Sequence, residues 1–190
     1  MSRPITKLEN IEKAAMELFS QKGLAAVTIK DIAQKAGCAE GALYRHYASK
    51  ENMAYELHKR ELKKFGIKLG KVFESQGSYS EKLKKGVEVF YRFFDEDKTT
   101  FSYVLLSQHN FPERESLSSE YNPIDLVIRF VEDGVKAGEF KIEDSRLGAY
   151  MIIGLFMQPL SMHIYERLEG LMVDRIEEIS NCCLKVLGVE

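Results

Sequence analysis

Between Thr28 and Lys50 the chain reads TIKDIAQKAGCAEGALYRHYASK, and its side chains fall into two chemical sets. Thr28, Lys30, Tyr44, Arg45, His46 and Lys50 carry hydroxyl, ammonium, guanidinium and imidazole groups, which donate hydrogen bonds to phosphate oxygens and base edges. Ala39, Gly41 and Ala42 are small enough to bring a backbone close to a groove. Glu40 is the exception, an acid among groups suited to a polyanion. It accepts from a cytosine amino group or points away from the contact, and both readings stay open. Covalent chemistry finds little elsewhere. The four His and three Cys lack H-E-x-x-H, C-x-x-C or nucleophile-elbow spacing, and no Gly-rich phosphate loop follows a strand. No catalytic residue, metal ligand or cofactor is expected.

The elements that must position these residues read as helices throughout, because apolar residues recur at three and four and breakers are sparse. Thr6-Lys7-Leu8-Glu9 is a capping box, and Leu8, Ile11, Ala15, Leu18 and Phe19 form a stripe that stops before Gly23. Thr28-Ile29-Lys30-Asp31 opens a second helix with Ile29, Ile32, Ala33 and Ala36 on its inner face. Gly37 closes it, a tight turn passes through Cys38, and a short helix is expected from Ala39 to Tyr47, with Leu43 and Tyr47 inward and Tyr44 outward. Two short helices about one turn are the outline of a helix-turn-helix. Ser49 then caps a long helix to about Phe73. Further helices are expected near 80–95, 98–109, 123–137, 144–167 and 172–187, with Pro123 at a first helical position and a loop from Asn110 to Tyr121.

The formal charge of the 190 residues is -2, but it is unevenly spread: residues 1–64 hold 12 Lys and Arg against 8 Asp and Glu, so the basic part is N-terminal. Three cysteines make no secreted disulfide framework, and no signal peptide opens the chain, so a reducing cytoplasm is expected. Residues 147–165 contain no Asp, Glu, Lys or Arg, a borderline length for a membrane span. Gln158, Pro159, Ser161 and His163 within it argue for a soluble core helix instead.

Leu18-Phe19, Gly23, Thr28-Ile29, Ile32-Ala33, Ala36-Gly37, Gly41-Ala42-Leu43-Tyr44, His46-Tyr47 and Ser49-Lys50-Glu51 together closely resemble the N-terminal domain of TetR-family repressors. The resemblance covers roughly residues 8 to 57. It implies an all-α chain with a three-helix helix-turn-helix domain at 1–50, and a helical effector-binding and dimerisation domain at 51–190. Position by position it places DNA contacts on Thr28, Lys30, Ala39, Glu40, Tyr44, Arg45, His46 and Lys50. Cys38-Ala39-Glu40 departs from it, since the family often has Val followed by Ser or Thr there. The activity implied is that of a repressor, a homodimer on a palindromic double-stranded operator, released by a small molecule.

The remainder is rich in Phe, Tyr and Met, as a core or an apolar ligand pocket would be. Phe65, Leu69, Phe90, Phe94, Phe101, Leu105, His109, Phe130, Tyr150, Met151, Gly154, Met157 and Gln158 are the pocket candidates, for a mainly apolar effector. Gly148, Ile152, Phe156 and Leu160 form one stripe and Ile176, Ile179, Cys183 and Leu187 another, which a second copy of the chain would cover as a four-helix bundle. Cys38, or the Cys182 and Cys183 pair, could also sense oxidants, although inert buried thiols are the ordinary state.

Overall fold

The structure, a computed structural model, describes residues 6–107 and 121–189, and they contain helices and turns but no strand. The described residues divide into two compact units, the first falling within residues 1–62 and 97–116 and the second within residues 63–96 and 117–190.

In the first unit, α1 (Lys7–Lys22) begins at a reciprocal cap: Thr6 Oγ1 accepts from the Glu9 amide at 3.2 Å, and the Glu9 carboxylate accepts from the Thr6 amide at 2.7 Å. α2 (Ile29–Lys35) repeats the device with Thr28 and Asp31. Its end is closed by Gly37 at φ 64°, which lets the Cys38 amide reach back to the Ala33 carbonyl at 2.9 Å. The next segment is shorter than the helix expected over Ala39–Tyr47. A single 3-10 turn, Glu40–Ala42, is succeeded by turns through His46. α3 (Lys50–Phe73) then starts at Ser49, whose hydroxyl accepts from the Asn52 amide at 3.0 Å. Ile11, Ala15 and Phe19 of α1, Ile32 of α2, Leu43 of the turn, and Met53 and Leu57 of α3 form one core. Full burial of each large side chain stabilises by roughly 1.5–3 kcal/mol.

α5 (Lys98–Phe101) is capped by Asp97 and runs on as a π-helix over Ser102–Leu106. Tyr103 is wholly buried in the head core, its hydroxyl donating to the Ala54 carbonyl at 2.6 Å and its ring 6.1 Å from those of Phe19 and His58. Phe101 and Leu105, expected to line an effector pocket in the body, therefore belong to the head's unit, and Leu105 packs on the head core. The helix expected to continue to residue 109 ends at Leu106. His109 and the loop from Asn110 lie outside the described residues, up to Tyr121.

The second unit contains α4 (Tyr79–Glu96), α6 (Pro123–Lys136), α7 (Ser145–Ile164) and α8 (Ile176–Val186), with a 3-10 turn over Met172–Arg175 leading into α8. The Asp95 carboxylate receives the amides of Met172 and Val173 at 3.1 and 3.0 Å, which ties the end of α4 to that turn. Asn122 and Asp144 cap α6 and α7.

α7 corrects the expected roles of its two faces. Gly148, Ile152, Phe156 and Leu160, expected at a subunit interface, are buried within their own chain, together with Cys183 and Leu187 of the α8 region. Ile176 and Ile179 are half-buried. Tyr150, Met151, Gly154 and Gln158, expected around a pocket, are exposed, and Leu147 joins them. The cause is composition: α7 is apolar on nearly every side, so its periodicity does not say which face turns inward. Ile152→Ala is expected to destabilise the protomer by about 2–5 kcal/mol. Met151→Lys, on the exposed face, is expected to leave helix content and the melting temperature of the protomer unchanged. Circular dichroism melts separate the two effects.

Candidate nucleic-acid interface

The segment between α2 and α3 is held from one side and open on the other. Ala42 and Leu43 are buried, while Ala39, Glu40, Gly41, Tyr44, Arg45 and His46 are exposed, Tyr44 to 58%. Backbone bonds from the Leu43 amide to the Glu40 carbonyl, 3.0 Å, and from the Tyr47 amide to the Leu43 carbonyl, 3.0 Å, hold its shape. Thr28 and Lys30 are also exposed. The Thr28 hydroxyl donates to Asp31 at 2.6 Å, and its bonds hold the Asp31 carboxyl below the usual carboxylate range. This surface presents an aromatic plate with cationic and imidazole donors on a backbone carrying small side chains, as contact with a duplex requires.

A buried carboxylate braces it. Glu12 of α1 accepts from the Tyr47 hydroxyl at 2.6 Å and from both terminal nitrogens of Arg60 on α3, at 3.0 and 2.6 Å. Arg60 Nε also donates to Glu61 at 2.9 Å. Burial, then the bond to Glu12, pushes the Tyr47 phenol far above its ordinary range, and the Glu12 hydrogen bond does the same for the Arg60 guanidinium. Neither Glu12 nor Arg60 stands out as functional in the sequence. The available signal is that Glu12 falls on the apolar stripe of its helix, four residues before Met16 and seven before Phe19.

Lys50 differs from its expected place at a phosphate. Its side chain is only 18% exposed, and its ammonium donates to the Leu24 carbonyl at 2.8 Å and lies 3.6 Å from Glu51. It secures the turn after α1, where a carbonyl beyond the helix end needs a donor.

In the second unit Phe65, Leu69, Phe90, Phe94 and Phe130 are buried as expected of pocket candidates, while Met157 is half-buried. The rings of Phe65 and Phe90 lie 4.7 Å apart, and those of Phe90 and Phe156 4.6 Å, an aromatic seam linking α3, α4 and α7. A separate groove of about 470 Å³ lies among α3, α4 and α6. Its floor includes the stacked rings of Phe73 and Phe130, 4.2 Å apart, and its lining includes Lys71, Glu74, Arg129 and Asp133. Of the expected pocket residues that are described, only Phe130 lines it. Cys183 is buried, and desolvation pushes its thiol up to about 12, while Cys182 is exposed and Cys38 half-buried. Among the described residues no cluster of His, Cys, Asp and Glu could hold a metal ion.

These features define a helix-turn-helix module followed by helices that build a body of their own. Residues 11–57 match the family model described as bacterial regulatory proteins, tetR family. Residues 11–57 are thus similar to the N-terminal domain of that family, and the resemblance read from residues 8 to 57 is borne out. The chain is 29% identical over 133 residues to the HTH-type transcriptional repressor KstR2 of Rhodococcus jostii, a match covering 67% of this chain and 64% of that repressor, less than two thirds of its length. Fatty acid degradation regulator FadR from Bacillus halodurans superposes over 100% of both chains with a TM-score of 0.77 at 21% identity. Transcriptional regulator FadR from Bacillus subtilis in complex with stearoyl-CoA gives 0.77 at 20% identity, over 94% of this chain and 98% of that one. The last two likenesses establish the all-α fold, a helix-turn-helix head followed by a helical domain.

Arg60→Ala is expected to destabilise the head by about 2–3 kcal/mol, below the full penalty of an orphaned buried charge because the Arg60 side chain is 40% exposed. Denaturant unfolding checks this. At pH 8, Cys182 is expected to react with a thiol reagent while Cys183 stays protonated and unreactive until unfolding, since burial disfavours its thiolate. Mass spectrometry after timed labelling reads the difference.

Proposed function

We propose that the chain is a cytoplasmic, ligand-responsive transcriptional regulator, a repressor that leaves its operator when a small, mainly apolar molecule binds the helical body. The observation that carries this reading is the exposed face of Thr28, Lys30, Ala39, Glu40, Tyr44, Arg45 and His46, on a segment fixed from behind by Leu43 and by the bond from Tyr47 to Glu12. Lys50 acts in this scheme as a brace for the neighbouring turn. The chemistry is binding without catalysis, and no membrane takes part. α7 meets the length and composition of a membrane span, yet one side of it is occupied by Gly148, Ile152, Phe156 and Leu160 within its own chain.

The working form is a homodimer. Leu147, Tyr150 and Met151 are exposed on α7, and Gly154 continues that face. A Cβ at Gly154 would meet nothing within 4 Å. A glycine inside a helix costs about 1 kcal/mol relative to alanine, and the protomer itself gains nothing from it. Close approach of a second copy supplies the reason. Two copies related by a two-fold axis set their recognition segments about 34 Å apart and read a near-palindromic operator.

For the effector, the stearoyl-CoA bound by the Bacillus subtilis protein makes long-chain acyl thioesters the first class to test. The Phe65, Phe90 and Phe156 seam is the apolar surface that an acyl chain would part. A ligand that prefers a body in which α3 is tilted would move the heads out of register, because α3 continues from the head into the body.

Tyr44→Ala is expected to weaken operator binding at least tenfold with helix content unchanged, and wild-type affinity is expected to fall linearly on a log-log plot against salt. Fluorescence anisotropy with a labelled operator measures both. Stearoyl-CoA is expected to release the operator while free coenzyme A does not. Equal release by both, or by neither, would contradict the acyl reading and leave the DNA-binding one standing.

A further inference from the structure

Glu40 is the first residue of the 3-10 turn in the exposed segment, and among the described residues no hydrogen bond or ion pair engages its carboxylate. On a surface that meets a polyanion, an unpaired carboxylate is repelled by the phosphates unless a donor on the nucleic acid receives it. In the major groove the bases provide two amino donors. Adenine places its own N7 acceptor beside its amino group, which opposes a carboxylate, while cytosine presents the amino group alone. A carboxylate can only accept, so cytosine is the matching base.

The adjoining residue supplies an independent reason to place Glu40 at the base edges. Gly41 is exposed, its φ lies outside the left-handed region, and a Cβ there would meet nothing within 4 Å. Neither backbone geometry nor packing within the chain calls for glycine. The open space over Gly41 leaves its backbone accessible from outside the chain, whereas Ala42 and Leu43 beside it are buried. A duplex meeting the backbone at Gly41 would have the exposed carboxylate of its chain neighbour Glu40 within reach of the base edges.

Resting on the DNA-binding reading above, we infer that Glu40 selects the operator by accepting a hydrogen bond from a cytosine amino group, with Gly41 as the point of closest backbone approach. Lys30 and Arg45 serve the phosphates, and Glu40 supplies sequence discrimination at one position of each half-site.

The test is selection of bound duplexes from a random pool by the full-length wild type and by Glu40→Ala and Glu40→Gln, with anisotropy titrations on the selected sites. The wild type should require a C·G pair at one position in each half-site, and replacing that pair should weaken binding about tenfold or more. Glu40→Ala should lose discrimination at that position and keep it elsewhere. Glu40→Gln should move the preference there toward A·T. Gly41→Ala should lower operator affinity at least tenfold with an unchanged melting temperature. An unaltered cytosine preference in Glu40→Ala, or uniformly tighter binding by that variant, would overturn the inference and leave the DNA-binding reading intact. If the wild type enriches no sequence, both are overturned.

Discussion

A carboxylate inside a protein must be matched by donors, and in this head the match fixes the geometry of everything around it. Glu12 gathers a phenol from the end of the recognition segment and a guanidinium from α3, so three stretches distant in sequence meet at two oxygen atoms. Apolar contacts among Phe19, Ile32, Leu43 and Leu57 give cohesion without direction. The hydrogen bonds at Glu12 add direction. They set where Tyr47 ends the recognition segment and which turn of α3 lies against α1.

That constraint matters because the recognition segment is too short to hold itself. A three-residue 3-10 turn has few internal hydrogen bonds, and isolated turns of this kind do not persist in water. Its order comes from its neighbours: the Thr28 and Asp31 cap before it, the Gly37 closure, the Leu43 anchor beneath and the Tyr47 bond after it. Lys50 contributes from the other flank by holding the Leu24 carbonyl. The result is a donor-bearing surface whose order is set by the fold itself, and a surface so held loses less entropy on binding any partner. Arg60 stands on α3, whose residues belong to the first unit up to Leu62 and to the second from Lys63.

How much the sequence disclosed depended on the range of each interaction. The caps at Thr6, Thr28, Ser49 and Asn122 are local, each made within three residues, and every one is present where the residue types place it. The inward Leu43 and outward Tyr44 accord with helical spacing. Glu12 and Arg60 are 48 positions apart, and although Glu12 lies on the apolar stripe of α1, nothing local to it names the partner that the fold brings. α7 misled for the opposite reason: apolar residues on both faces left no contrast by which to tell the core from the open side. Phe101 and Leu105 were legible as apolar but not as part of the head, because Tyr103, which carries them there, bonds to a backbone carbonyl 49 residues away.

The central claim is that Glu12 holds the recognition segment in its DNA-ready shape. Amide hydrogen exchange over residues 39–47, compared between the wild type and Glu12→Gln, tests it most directly. The account predicts much faster exchange at Leu43, His46 and Tyr47 in the variant, whose amides bond within the segment, while the amides of α1 keep their protection. Unchanged exchange across that segment would show that the apolar anchors alone suffice, and would contradict the account.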